Sequence, residues 1–242
     1  MELQEYKSVE ILENKKVSDD IYLMKLNTSL KGAPGQFYML KVGNLDPLLP
    51  RPISIYDVGE NEISFLYQVV GKGTKIMAKK KQGETIQILG PLGNSFTIEG
   101  DKVAVVGGGI GIAPLLYLCK KLKSENKYVE VFLGYRTKPY LTEEFEKIAD
   151  KVSIATEDGS VGHKGYVTEI IGKDFDTLYS CGPNLMMKSL KSLNICDREY
   201  YSLEARMACG IGACLGCSIK TVNGMKRVCH EGPIFSKDEV IL

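Results

Sequence analysis

The sequence predicts a β plus α/β protein in three parts: an N-terminal antiparallel β-barrel or sandwich, a parallel-sheet α/β domain, and a small cysteine-bearing C-terminal domain. Three observations carry this. Short β-prone runs separated by turn residues fill the first hundred positions. From "KVAVVGGG" onward, strand patterns alternate with helical ones. Four of the seven cysteines fall in the last 34 residues. The expected boundaries are 1–100, 101–199 and 200–242.

In the first part, "IYLMKL" and "QFYMLKV" flank the turn signal "KGAPGQ". "RPISIYDV", "EISFLYQVV" and "ETIQIL" follow at spacings that suit a barrel or sandwich. One helix is expected from Thr74 to Lys81, and the turn-rich "GPLGNSFTIEGDK" closes the region. In the second part, "KVAVVGGG" reads as a buried strand ending in glycines and "IAPLLYLCKKLKS" as a helix. Strand "YVEVFLGYR", helix "TEEFEKIA", strand "KVSIAT", strand "DTLYSCGP" and helix "NLMMKSLKSL" follow. That alternation makes a parallel sheet with helices on both faces. Beyond about Tyr200, "CSIKTVNGMKRVC" has the pattern of a hairpin turning at Asn223–Gly224.

Bulk properties exclude several functions. Lys plus Arg total 31 against 30 Asp plus Glu, leaving no electrostatic footprint for nucleic acid or anionic lipid. "KKK" at Lys79 to Lys81 is read as a solvated helix end. The N-terminal "MELQEYKSVE" has no apolar export core. The longest uncharged stretch, Val103 to Cys119, has 17 residues, but four are glycine and one is proline, so it is too short and broken to span a bilayer. An odd cysteine count without an export signal points to a reducing compartment. The expectation is a soluble, cytoplasmic protein with no nucleic-acid or membrane partner.

The four late cysteines, Cys209, Cys214, Cys217 and Cys229, are spaced C-x4-C-x2-C-x11-C. Four thiolates suit a tetrahedral zinc ion or an iron–sulfur cluster. Structural zinc sites bring two close pairs, whereas here three cysteines share one loop and the fourth stands alone. This is the order of a plant-type [2Fe–2S] ferredoxin site, with a shortened last interval. The small residues between them, "GIGA" and "LG", leave backbone amides free to reach sulfur. A zinc-stapled nucleotide-binding module stays open beside the cluster.

"VAVVGGGIGIAPLLYL" has the strand–glycine loop–helix layout that brings a helix start to a phosphate. It does not match G-x-G-x-x-G, and "LGYR" stands where a ribose-binding acid would end the next strand. A purely structural glycine turn stays open for this loop alone. The pattern GGGxGxxP, followed by "YSCGP", resembles the pyridine-nucleotide domain of the ferredoxin–NAD(P) reductase superfamily. "RPISI" resembles that superfamily's R-x-x-S flavin motif and "LYQVVGKGT" its second flavin segment. With "EARMACGIGACLGCSIK…RVCHEGPIF" behind them, the whole chain resembles the electron-transfer subunits of NAD-dependent dihydroorotate dehydrogenase B.

That resemblance implies FAD, NAD and a [2Fe–2S] cluster as cofactors. It implies an FMN-containing dihydroorotate dehydrogenase catalytic subunit as partner, in a heterotetramer of two of each, serving pyrimidine biosynthesis. Arg51 would pair with the FAD pyrophosphate and Ser54 would bond near the isoalloxazine. Pro52 and Ile53 lie between them, and Leu66, Tyr67, Gln68, Gly73 and Thr74 complete the FAD site. Gly107, Gly108, Gly109, Gly111 and Pro114, with Cys181, Gly182 and Pro183, would hold the nicotinamide nucleotide. The four late cysteines would hold the cluster. Equivalent reductase subunits of a hydrogenase, a sulfide dehydrogenase or a ferredoxin:NADP transhydrogenase share this build.

Other residues are read more plainly. Cys181 is placed either near the nicotinamide–flavin contact or in the core, and Cys119 in core packing. Cys196 receives no role. His230 stands near the cluster, His163 is a loop residue, and neither is an acid–base catalyst. The Met186–Met187 pair is read as core. Arg136 offers a 2′-phosphate a partner.

Overall fold

The computed structural model describes residues 5–43 and 46–242. Met1–Gln4, the start of the stretch read for an export signal, lie outside the described residues. Six strands, β1 (Lys7–Lys16), β2 (Ile21–Asn27), β3 (Phe37–Lys41), β4 (Arg51–Val58), β5 (Glu62–Gln68) and β6 (Thr85–Leu92), close into an antiparallel barrel ordered β1-β2-β5-β4-β3-β6. β1 escaped the sequence reading because "KSVEILENKK" buries only Val9 and Ile11. Inward-facing Ile11, Met24, Leu40 and Ile88 pack with Tyr38 and Phe65, whose rings meet edge-on at 5.7 Å.

Helix α1 (Lys72–Met77) joins β5 to β6, starting and ending before the expected Thr74 and Lys81. The Thr74 hydroxyl accepts the Val70 and Gly71 N–H groups at 3.0 and 3.1 Å, which puts Thr74 inside the first turn. At the other end, Asn14 Nδ2 donates to the Met77 and Lys80 carbonyls at 2.8 and 2.9 Å.

The second sheet runs β10-β9-β8-β7-β11-β12-β15. Its members are β7 (Lys102–Gly108), β8 (Tyr128–Tyr135), β9 (Lys151–Thr156), β10 (His163–Lys164), β11 (Thr177–Cys181), β12 (Arg198–Ser202) and β15 (Ile234–Ser236). All pairings are parallel except β12 with β15. Central β7 is buried at six of seven positions. Val103 and Val105 pack on the side of α2 (Leu115–Ser124), Ala104 and Val106 on the side of α4 (Asn184–Leu193). Helix α3 (Thr142–Glu146) is shorter than "TEEFEKIA" suggests and continues as turns.

Barrel and sheet share a core seam in which Leu23, Tyr56 and Leu66 meet Ile112, Ala113 and Leu115. Each fully buried aliphatic side chain there contributes about 1.5–3 kcal/mol. The Tyr117 hydroxyl donates to the Gly32 carbonyl at 3.0 Å, and Lys120 pairs with Asp57 at 2.5 Å, across the same seam.

The expected boundary at 199/200 falls inside β12. The cysteine segment leaves the sheet after β12 and returns to it as β15, whose Ile234 and Phe235 are buried in the shared core. It carries a hairpin of β13 (Ser218–Thr221) and β14 (Gly224–Arg227). Thr221 pairs with Gly224, so the loop is Val222–Asn223, not Asn223–Gly224. Gly224, at φ 101°, supplies the left-handed residue that closes it. Among the described residues, no helix is long and apolar enough to cross a membrane.

Candidate functional site

The carboxyl ends of β7 and β11 lie side by side, Gly107 opposite Cys181, and the strand order reverses between them. Open α/β sheets bind ligands in the crevice at such a switch point. The glycines here are set by contact. A Cβ on Gly111 would lie 2.4 Å from the Cys181 carbonyl oxygen, and one on Gly108 would lie 2.6 Å from Met186 Sδ. Gly109 has φ +55° and nothing within 4 Å of its Cβ position. The loop is pressed onto Cys181–Gly182 along one side and open at Gly109, the arrangement a phosphate requires of backbone amides. Pro114 and Pro183 immediately precede α2 and α4.

The Cys181 thiol is buried in the core, so only its backbone borders the loop. Burial pushes its pKa up, the Glu204 charge adds to this, and a bond with Ser202 opposes it. Met187 is core, as expected, whereas half-buried Met186 covers Gly108 and Gly182. Past the end of β9, Glu157 donates its N–H to the Tyr135 carbonyl at 3.1 Å and Asp158 to that of Arg136 at 3.3 Å. Backbone bonds therefore join the segment of Glu157 and Asp158 to that of Arg136. Sequence reading missed these two acids by searching only the end of β8.

Arg51 begins β4, and its guanidinium lies directly on Gly73 in α1, where a Cβ would meet Nε at 1.9 Å. The "RPISI" and "LYQVVGKGT" segments are thus brought together, with the guanidinium also donating to the Leu49 carbonyl. A planar fork over open backbone suits a diphosphate. Gly71, just before α1, has open space at its Cβ position. On β4, Pro52, Ile53 and Ser54 are half-buried and pair with Met39, Tyr38 and Phe37. Leu66 is buried in the seam. Tyr67 is buried in the barrel, its hydroxyl donating to Asn14 Oδ1 at 2.9 Å. Only the backbone of those two can reach a ligand. Gln68, half-buried, donates to Asp20 at 2.6 Å.

The cysteine loop turns its amides inward. Gly210, Gly212 and Leu215 have φ of 76°, 80° and 59°. N–H groups then point at sulfur: Gly212 at Cys229 (3.1 Å), Cys214 at Cys209 (3.4 Å), Gly216 at Cys214 (3.5 Å) and Cys229 at Cys217 (3.4 Å). Burial raises the Cys209 thiol, but the N–H groups of Cys214, Ile211 and Ala213 and the Cys214 side chain outweigh it and bring it down to about 6. Burial and then the Cys217 thiol push Cys229 up to about 12.

Backbone amides thus join Cys214 to Cys209 and Cys229 to Cys217. Four thiols on one loop and its hairpin, under inward amides, suit a [2Fe–2S] cluster, whose sulfurs accept such bonds. Gly210 packs against Met39 of β3, 2.5 Å from its Cγ to the glycine's Cβ position, so the cysteine loop touches the barrel. Arg227, Glu231 and His230 crowd the far side of this loop, and sequence reading singled out only the histidine. His163 pairs instead with Glu169 at 2.8 Å, remote from the cysteines.

Comparison with known proteins agrees with this build. Residues 204–241 match the family model for the iron–sulfur cluster binding domain of dihydroorotate dehydrogenase B. The chain is 46% identical to the dihydroorotate dehydrogenase B (NAD(+)) electron transfer subunit of Clostridium acetobutylicum, covering 99% of this chain and 98% of that one. It is 42% identical to the homologue of that subunit in Aquifex aeolicus, covering 97% and 98%. Among solved structures, a chain of the NADH-dependent reduced ferredoxin–NADP oxidoreductase superposes with a TM-score of 0.87 at 32% identity. It covers 96% of this chain and 89% of that one.

Proposed function

Because this chain belongs to the family of dihydroorotate dehydrogenase B electron transfer subunits, we propose that it carries electrons from an FMN-bearing catalytic subunit to NAD+ in pyrimidine synthesis. The observation that carries this is the cysteine loop, with its amides aimed at sulfur, folded onto a barrel and sheet of ferredoxin-reductase build. When bound, FAD supplies the exchange between a two-electron hydride and the single electrons of a [2Fe–2S] cluster.

The protein's own residues bind and orient. Arg51, held on Gly73, is the fork for the FAD pyrophosphate, and Ser54 is the hydroxyl nearest the reactive ring. The loop Gly107–Gly111 with Pro114, and the Cys181–Pro183 turn, hold the nicotinamide nucleotide at the switch point. Cys209, Cys214, Cys217 and Cys229 hold the cluster. No side chain is assigned as nucleophile or acid–base catalyst.

The partner covers the cysteine loop. Leu215 supports this: it is 63% exposed in a left-handed conformation that glycine would adopt without strain. Ile211 beside it is 47% exposed. An apolar, uncharged patch around an exposed Cys214 is what a docking face requires. The working site is the cytoplasm.

The test is reconstitution. With an FMN-bearing dihydroorotate dehydrogenase subunit the pair should form NADH from dihydroorotate. The chain alone should reduce artificial acceptors with NADH and do nothing with dihydroorotate. Leu215→Glu should impair assembly while sparing NADH-driven flavin reduction. Dihydroorotate oxidation by the chain alone would overturn the reading. The likeness to the ferredoxin–NADP oxidoreductase favours a second one, a transhydrogenase subunit, which NADPH-linked activity with ferredoxin would distinguish.

A further inference from the structure

We propose that Arg227 sets the geometry and the reduction potential of the cysteine site, a role that rests on those cysteines holding a [2Fe–2S] cluster. Arg227 ends β14, two residues before Cys229. Its NH1 donates to the Gly212 carbonyl at 2.7 Å, while the Gly212 N–H points at Cys229 Sγ at 3.1 Å. One residue, Gly212, therefore links the cation to a sulfur: its carbonyl is tied to Arg227, its N–H points at Cys229, and the two peptide units meet at its Cα. Gly212 leaves no room for a side chain: its φ is +80°, and a Cβ there would meet His230 Cδ2 at 2.9 Å and Arg227 NH1 at 3.1 Å.

The guanidinium is itself anchored. Nε donates to Glu231 Oε2 at 3.0 Å, NH2 donates to Oε1, and the Arg227 backbone N–H donates to Oε2 at 2.7 Å. The His230 and Glu231 N–H groups return to the Arg227 carbonyl at 3.1 and 3.0 Å. A fork that grips a carboxylate on one edge and a carbonyl on the other is a task for arginine; lysine brings the charge without the fork.

Two consequences follow. The tether holds the carbonyl side of the residue whose N–H bonds the Cys229 sulfur, so losing it should loosen the metal. The guanidinium stands between the cysteine loop and its carboxylate partner: NH1 faces Gly212, while Nε and NH2 face Glu231. Reduction adds an electron to the cluster, so the adjacent cation stabilises the reduced form and raises the potential.

The test compares the full-length wild type with Arg227→Gln and Arg227→Lys, purified anaerobically. Cluster potentials are measured by EPR-monitored redox titration, and iron release is timed under a chelator. Arg227→Gln should release iron about 10–100 times faster. It should also lower the reduced-to-oxidised ratio at fixed solution potential by about tenfold, or about 59 mV for one electron. Arg227→Lys should recover most of the potential while still releasing iron quickly. A wild-type cluster whose potential is unmoved in both variants overturns the inference and leaves the cluster reading standing. A wild type holding zinc and no cluster overturns both.

Discussion

Replacing Gly73 with alanine should strengthen the fold and weaken FAD binding at once. Gly73 lies within α1 without a left-handed φ, so alanine is favoured there by about 0.8–1 kcal/mol. The new methyl would stand 1.9 Å from Arg51 Nε and 2.2 Å from Cζ, so the guanidinium must leave. It is the end of a flexible side chain and can swing into solvent without disturbing β4. Losing a desolvated fork on a diphosphate costs about 2–5 kcal/mol, which is roughly 30-fold to several thousand-fold in Kd. Apoprotein titrated with FAD, followed by flavin fluorescence, measures the affinity, and thermal melting of the apoprotein measures the fold. Arg51→Ala completes the cycle: in that background Gly73→Ala should cost nothing further in FAD affinity. Unchanged FAD affinity in Gly73→Ala would refute the role of Arg51. Additive losses would mean that the methyl obstructs FAD itself.

Cys214→Ser should lose or destabilise the cluster, whereas Cys119→Ser, in the buried face of α2, should keep about two irons and two labile sulfides per chain; metal and sulfide analysis decides this. NADH should reduce the flavin faster than NADPH, in keeping with the family of NAD(+) electron transfer subunits to which the chain belongs. Stopped-flow reduction with both nucleotides checks it, and a preference for NADPH would refute it. Asp150 binds Lys123 through both oxygens at 2.8 Å and accepts the Val129 N–H at 2.7 Å. Burial raises its pKa, but the Lys123 bond and the Val129 N–H outweigh that, and the net shift is downward. A lowered folded-state pKa means stability present above the unfolded value of about 3.9 and lost as pH falls through the folded one. Asp150→Asn should therefore cost about 1 kcal/mol at neutral pH and progressively less below about pH 4, as read by urea unfolding.

The sequence was most legible where period and spacing report directly on the backbone. "KVAVVGGG" alternates between two cores, and the glycines after it announce a turn; both appear as β7 and its loop. The C-x4-C-x2-C order brought its residues together because one loop carries three of them. The sequence was silent where partners are distant. Nothing local in "GPLGN" says that Asn94 will bond Glu231 and Ile234, more than a hundred residues away. Nothing in "KSVEILENKK" distinguishes a half-buried barrel strand from a solvated one until β2 and β6 flank it. Arg227 was passed over for the same reason. An arginine in a hairpin is ordinary until the fold sets it against Gly212. Leu66 and Tyr67 show the converse: a motif marks a segment, and burial then decides that only its backbone is available.

The cysteine segment departs at Ser202 and rejoins the sheet at Ile234, residues that pair with each other. Asn94, from the connector between barrel and sheet, bonds the backbone of Gly232 and Ile234 at the point of return. A carrier that ferries electrons by swinging between donor and acceptor needs a single flexible tether, and this segment has none: it is stitched down at departure, return and middle. The distance from the thiols to the barrel is then a constant of the scaffold, like the gap between two soldered contacts. What remains variable is the outer gap, from the cysteine loop to whatever docks on it. Throughput would therefore be set by how often and how closely a partner seats on that face, and lengthening the 203–233 excursion should slow internal transfer without granting it any reach.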